Sequence, residues 1–393
     1  MTESTFQVLL FHPWAPSRAL VDVDRPGYYA GGQIRQAPAP VLLAADRAGR
    51  VAVFDPPAVA LTVYDGRGAR VCEVAVDTEA HGPVVHLALA GNGAWLLHQG
   101  GPAQRLRKVD CSGQVLVDVD VPSEASTRVD RVALAPERVY LASSEASGPL
   151  LALDPDTGRV LAEHQVPHPG RRPAPLPDGR VLFASYFPDQ NRRGVSIFDP
   201  ETGREQPYVF HAAWHGPLLG FLGADARARL YLFASRQFSD EPGLYTLSRE
   251  GAELARLPFI ELVTSPEGDM IGVWSVEGGR GRVRRLDRAG GAGAGEAGAV
   301  ELSAKPDELS LTGLTAAGAF IFDEMGENHL VGARWSVVPS ERAPTPVALG
   351  ENYTVTAQQH IDTWLVSPTG QVLIPVTTPR GVAVVAVTTG AQE

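Results

Sequence analysis

Four glycines spaced 45 residues apart constrain this chain more than any other feature. The segments VYDGRGARVCEVAV (63–76), KVDCSGQVLVDVDV (108–121), ALDPDTGRVLAEHQV (152–166) and IFDPETGREQPYVF (197–210) align on Gly68, Gly113, Gly158 and Gly203. In each, an aspartate can bond the amides ahead of it, and glycine takes the positive-φ position that closes a short hairpin. Looser copies follow at LSREGAELARLPF (247–259), LDRAGG (286–291) and VSPTGQVLIPV (366–376). Around these turns apolar residues alternate, as in Leu151/Leu153 and Val115/Val117/Val119/Val121. That is the two-residue period of half-buried strands. No stretch of twelve or more residues carries a convincing amphipathic helix. A period in the forties built from short strands reads as propeller blades.

One unit, 128–166, divides into strands at 128–134, 138–143, 149–154 and 159–166. The same cut gives units at 38–76, 83–121, 172–210, 216–258, 259–303, 308–348 and 359–388. The expectation is therefore an all-β chain, a single closed β-propeller domain over 1–393 with antiparallel four-stranded blades spanning 38–388. Eight blades are predicted, with seven as the alternative. The last unit has three clear strands, and FQVLLFH (6–12) has nothing local to pair with. An open ring would leave two bare sheet edges, so 6–12 is expected to pair with the C-terminal blade and close the ring. Residues 13–37, with Trp14, Tyr28 and Tyr29, fall outside the repeat and are expected either to cap one end of the channel or to seal the closing seam, the seal being preferred. The glycine-rich run 290–299 cannot pack a core and is expected to be a flexible loop.

The hairpins in LALDPDTGRVLAEHQV and IFDPETGREQPYVF resemble the Asp-x-x-Thr-Gly turn of bacterial quinoprotein-like and YVTN-type (WD40-like) propellers, and the likeness covers most of 38–388. It implies the architecture and, in some members, a quinone cofactor. Those members place tryptophan where this chain has Ala162 and Pro207, and several hold adjacent cysteines, which are absent here. No cofactor is expected on that basis.

A net charge of −11 excludes a nucleic-acid partner, because phosphate binding needs a concentrated basic face. Arg171–Arg172, Arg192–Arg193 and Arg282/Arg284/Arg285 remain local anion contacts to consider. Lys108 and Lys305 are the only lysines, so 34 − 2 leaves 32 arginines, a bias that looks like a GC-rich bacterial genome. No apolar run approaches eighteen residues, so no membrane contact is expected. Cys72 and Cys111 form no C-x-x-C pair and are read as reduced; with no signal peptide visible, the expected compartment is the cytoplasm.

HAAWHGP (211–217) places two histidines four apart, but Gly216–Pro217 forbids a continuing helix, so His211 and His215 are not a helical metal pair. His81 also precedes Gly-Pro, and His168 follows its turn glycine at a comparable distance. In a ring, His81, His168 and His215 could meet at the channel mouth as general bases or metal ligands. FDEMGENHL adds Asp323, Glu324, Glu327 and His329 in one inter-strand loop, as oxygen and nitrogen donors for a divalent metal. YFPDQNRRG (186–194) and RQFSDEPG (236–243) mix aromatics, arginines and carboxylates, the composition of contact surfaces. Phe187, Asp189, Arg192, Arg193, Arg236, Phe238 and Asp240, with Glu324 and Glu327, are the expected partner-binding residues. No G-x-S-x-G, H-E-x-x-H or phosphate-binding glycine loop is present. The functional expectation is a non-catalytic cytoplasmic scaffold that binds a protein partner through loops on one face. The alternative is a small-molecule lyase or hydrolase, metal-assisted, with a small ligand in the central channel.

Overall fold

At each of the four repeated turns the aspartate side chain reaches forward over the loop. Asp65 Oδ1 accepts the amides of Arg67 and Ala69 at 2.9 Å, while Gly68 N–H donates to the Asp65 carbonyl at 3.0 Å. Asp110, Asp154 and Asp199 repeat the arrangement with Ser112, Thr157 and Thr202 hydroxyls added. These hydrogen bonds favour the ionised carboxyl and hold all four aspartates below their usual range. The four glycines sit at φ between +66° and +85°, where a Cβ is costly.

The computed structural model describes residues 5–13, 29–30, 33–34, 41–56, 58–100, 103–121, 129–143, 149–166, 171–210, 219–234, 242–258, strands between 261 and 334, 364–378 and 381–390. Blade I is Leu42–Ala45, Val51–Asp55, Ala60–Tyr64 and Arg70–Ala75. Blades II to V repeat this meander over 84–121, 131–165, 171–209 and 219–257, with the first strand innermost. Blade VI takes Leu365–Val366, Val372–Thr378 and Gly381–Thr388 from the C-terminal part, and its outermost strand is Thr5–Pro13. Thr5–Pro13 pairs antiparallel with Gly381–Thr388, from Thr5↔Thr388 to Pro13↔Gly381. His12 Nδ1 also meets Tyr64 Oη at 2.8 Å, tying this strand to blade I.

The core lies between blades, and it runs once around the ring. Phe54 and Leu61 of blade I meet Leu87 and Leu96 of blade II. Trp95 and Leu106 of blade II meet Leu141 and Leu151 of blade III. Tyr140 and Leu150 of blade III meet Phe183 and Phe198 of blade IV. Ile197 of blade IV meets Leu232 and Tyr245 of blade V. Phe233 and Leu244 of blade V meet Ile374 and Val385 of blade VI. Leu373 and Val384 of blade VI return to Val51 and Val53 of blade I. Middle strands are covered on both faces and are mostly apolar, as in the fully buried Val51–Asp55, where Asp55 is the one polar residue, and Pro149–Leu153. Outer strands alternate because one face meets water, as in Val160–Gln165.

Among the described residues, therefore, six blades of four strands ring the channel. Eight blades, and seven, are overturned. The sheet Glu261–Thr264, Met270–Glu277, Arg280–Asp287 and Glu296–Leu302, and the three strands Leu309–Thr315, Gly318–Asp323 and Leu330–Arg334, lie outside the ring. Leu262, Ile271 and Val273 of the first of these sheets join the core shared by blades V and VI, and Arg284 lies 5.0 Å over the Phe6 ring. A meander that packs onto a blade carries the same alternation as one that enters the ring, so pattern counting included both. Residues 296–299 of the glycine-rich run are strand, with Gly298 opposite Arg285. The VSPTG turn joins the two innermost strands of blade VI, not its outer pair.

The cysteines are also corrected. Cys72 and Cys111 form a disulfide with a Cα–Cα separation of 5.5 Å. It joins the outer strand of blade I to the turn before the outer strand of blade II.

Candidate functional site

Every inner strand runs in the same direction along the channel, so the two ends of the ring differ. One end takes the tight turns locked by Asp46, Asp65, Asp110, Asp154, Asp199, Asp225, Ser248 and Ser367. The other end takes the connections between second and third strands and the passages from blade to blade.

The channel is a cavity of about 690 Å³ whose walls come from all six blades, with His86, Arg131, Arg172, Leu222, Trp364 and Asp46 among the lining. His86 sits at a register shift in Val84–Ala90. Its Nδ1 accepts the Val132 amide at 3.3 Å, which assigns the ring proton to Nε2. Burial first, then the positive charges of Arg131 and Arg172, hold the imidazole down to about 3, so it is neutral at physiological pH. Arg172 lies within another register shift, between Arg171 and Ala174, and has a φ of +58°. A non-glycine residue in that region is strained. Its guanidinium reaches the two following blades, where Nη1 donates to the carbonyls of Leu222 (2.7 Å) and Trp364 (3.2 Å). Arg131 Nη1 donates to the Asp130 carbonyl at 2.9 Å and lies 3.7 Å from its carboxylate.

Of the three candidate histidines, only His81 is described. It ends the short helix Thr78–His81, capped by Asp77, and its ring lies 5.7 Å from that of His98. It is not part of the channel wall. His98 is fully buried, and its Nδ1–H donates to the Gly82 carbonyl at 2.9 Å. Burial pushes this imidazole below its ordinary value. His168, His215, Glu324, Glu327 and His329 lie outside the described residues, and Asp323 is described only as the end of a strand. Among the described residues no three His, Cys, Asp or Glu side chains come together to hold a metal ion. Sequence reasoning missed His86 and Arg131 as channel residues and met Arg172 only as half of a basic pair. Inner-strand position was the available signal, since the unit boundaries place 86, 131 and 172 near the starts of their blades.

The hairpin of blade IV lies at the connector end. Asp189, Arg192 and Arg193 are exposed, but Phe187 is buried at 6%, so it presents no surface. The exposed aromatic is its neighbour Tyr186, at 53%, whose hydroxyl lies 2.6 Å from Asn191 Oδ1. Strand alternation turns one of any adjacent pair inward. Arg236, Phe238 and Asp240 lie outside the described residues.

No protein-family model matches this chain, and no curated protein does. Solved structures match this chain only at a distance. Hydrazine synthase of Kuenenia stuttgartiensis is 14% identical with a TM-score of 0.42, covering 79% of this chain and 100% of that one. The Pan2 WD40 domain of Neurospora crassa is 13% identical with a TM-score of 0.46, covering 97% and 95%. BamB of Moraxella catarrhalis is 16% identical with a TM-score of 0.33, covering 83% and 100%. At these scores they carry no argument about what this chain binds.

Proposed function

We propose that this chain is a non-catalytic propeller that docks a protein partner on the connector end of its ring. The observation that carries the reading is the blade IV hairpin. Tyr186, exposed and hydrogen-bonded to Asn191, itself at a φ of +48°, shares this hairpin with the exposed Asp189, Arg192 and Arg193. A pre-positioned aromatic among arginines is the composition of an interface anchor, because little conformational entropy is lost on binding. The lyase or hydrolase reading has less support, since His81 turns to His98 and away from the channel wall. Quinoprotein- or YVTN-type kinship belongs to the same proposal and rests on the Asp-x-x-Thr-Gly turns at Asp154 and Asp199. The compartment is also part of it: the Cys72–Cys111 bond fits an oxidising compartment better than the cytoplasm expected from the sequence.

The test is a photo-crosslinkable residue at position 186 of the full-length protein, expressed in its native host. One crosslinked protein should be recovered at near-stoichiometric yield, and the additional changes Arg192→Glu and Arg193→Glu should abolish it. Recovery of no partner from position 186, with none co-purifying with the unmodified protein, overturns the proposal.

A further inference from the structure

We propose that the connector end of the central channel binds a small organic anion through a carboxylate or phosphate group, with His86 Nε2–H and the Arg131 guanidinium as donors. This site is distinct from the Tyr186 hairpin, and neither reading depends on the other.

Among the described residues the channel wall holds two carboxylates, and both are occupied. Asp46 accepts the Ala48 and Arg50 amides and pairs with the Arg50 guanidinium at 2.7 Å. Asp225 accepts the Arg227 and Arg229 amides and pairs with Arg229, also at 2.7 Å. Both lie in the turns at the far end. Four residues separate His86 from Ala90 at that end, about 13 Å along the strand. The connector end is different. Three blades there contribute His86, Arg131 and Arg172, and both guanidiniums lie close enough to oppose protonation of the imidazole. Asp130 is the carboxylate beside them, 3.7 Å from Arg131.

Beside Asp130, the groups that His86, Arg131 and Arg172 bring to this cluster are donors. His86 spends its only lone pair on the Val132 amide, so the other nitrogen of this channel-lining residue is an N–H and no acceptor. Guanidinium groups donate and never accept. A ligand satisfying them must therefore bring oxygens, and negative charge is favoured by the fields of Arg131 and Arg172 in a partly desolvated wall. The bonds from Arg172 to the Leu222 and Trp364 carbonyls hold that positive charge in the channel wall. At about 690 Å³ the cavity exceeds the volume of an inorganic anion, and its remaining walls include Leu43, Leu87, Ala133 and Leu222. An anionic group on a small organic body fits both the donors and these apolar strands.

The test is calorimetric titration of the full-length protein with citrate, glucose 6-phosphate, inorganic phosphate and, as the uncharged control, glucose. At least one organic anion should bind with sub-millimolar affinity while glucose does not, and citrate against glucose 6-phosphate separates carboxylate from phosphate recognition. Arg131→Gln and His86→Phe should each weaken binding about tenfold or more, the loss expected for a charge-assisted or buried hydrogen bond. Arg131→Lys should retain most of the affinity, which keeps the result readable if the glutamine variant fails to fold. Absence of binding by every anionic probe at millimolar concentration overturns the proposal, as does binding that both His86→Phe and Arg131→Gln leave unchanged. Binding of inorganic phosphate alone also overturns it, as an adventitious ion only.

Discussion

Reducing the Cys72–Cys111 bond should destabilise the ring by an amount that its sequence separation of 39 sets. Closing a loop of that length removes about 13 cal/mol/K from the unfolded chain in the chain-entropy description, or about 4 kcal/mol at 25 °C. For 393 residues the unfolding entropy is about 0.8 kcal/mol/K, so the thermal midpoint should fall by about 5 °C. Cys111 is exposed in its turn, so a mild reductant can reach the bond without prior unfolding. The assay compares scanning calorimetry of oxidised and reduced protein, with Cys72→Ala/Cys111→Ala as the variant that cannot re-oxidise. Thiol titration in denaturant without reductant should find no free thiol in protein taken from its native cells. Two free thiols in that protein would refute the bond. Oxidised and reduced forms melting within about 1 °C would refute the entropic reasoning, because the staple would then constrain nothing that unfolding releases.

Gly68→Ala should cost more than Gly179→Ala, although both glycines have similar positive φ. A Cβ at 68 would strike the Leu9 carbonyl of the closing strand, whereas one at 179 meets open space. Denaturant midpoints should show about 1 kcal/mol for Gly179→Ala and at least about 2 kcal/mol for Gly68→Ala. Stability should fall as pH drops from about 6.5 toward about 3, because the folded state keeps His86 neutral while the unfolded state takes up its proton. His98 and His164, also depressed by burial, act in the same direction. Urea denaturation of His86→Asn at pH 7.5 and 5.5 should show a shallower acid loss than the wild type, and equal slopes would contradict the assignment. Asp225→Asn removes the partner of Arg229 and Tyr231 at a carboxylate that is 1% exposed, and should cost about 3 kcal/mol by the same measurement.

Turn chemistry was the most legible part of the sequence, because the Asp-to-amide bonds and the left-handed glycine are local and need no tertiary knowledge. The strands of 128–166 lie within a few residues of the observed Arg131–Ala135, Arg138–Ala142, Pro149–Leu153 and Val160–Gln165. The ring size was not legible. Whether Leu262 and Ile271 line a channel or pad the outside of blade VI depends on contacts with Ile374 and Val385, a hundred residues away, and alternation is blind to that. The cysteines were misread for a related reason. Their separation of 39 falls short of one repeat, so Cys72 sits in an outer strand and Cys111 in the next blade's turn, a pairing visible only once blades are placed side by side. The channel cluster was hidden because register shifts at His86 and Arg172 aim those side chains, and irregularity of that kind leaves no mark in a periodic pattern.

The seam between Thr5–Pro13 and Gly381–Thr388 sets an order of events during synthesis. The ribosome delivers one half of this ladder well before the other, with five complete blades in between. Those blades can form as they emerge, but the leading segment, carrying Phe6 and Leu10, must wait with its backbone unpaired until its mate arrives. A nascent chain stalled before residue 381 is thus an unclosed arc with a sticky end, and it is at this stage that holding chaperones and proteases would find it.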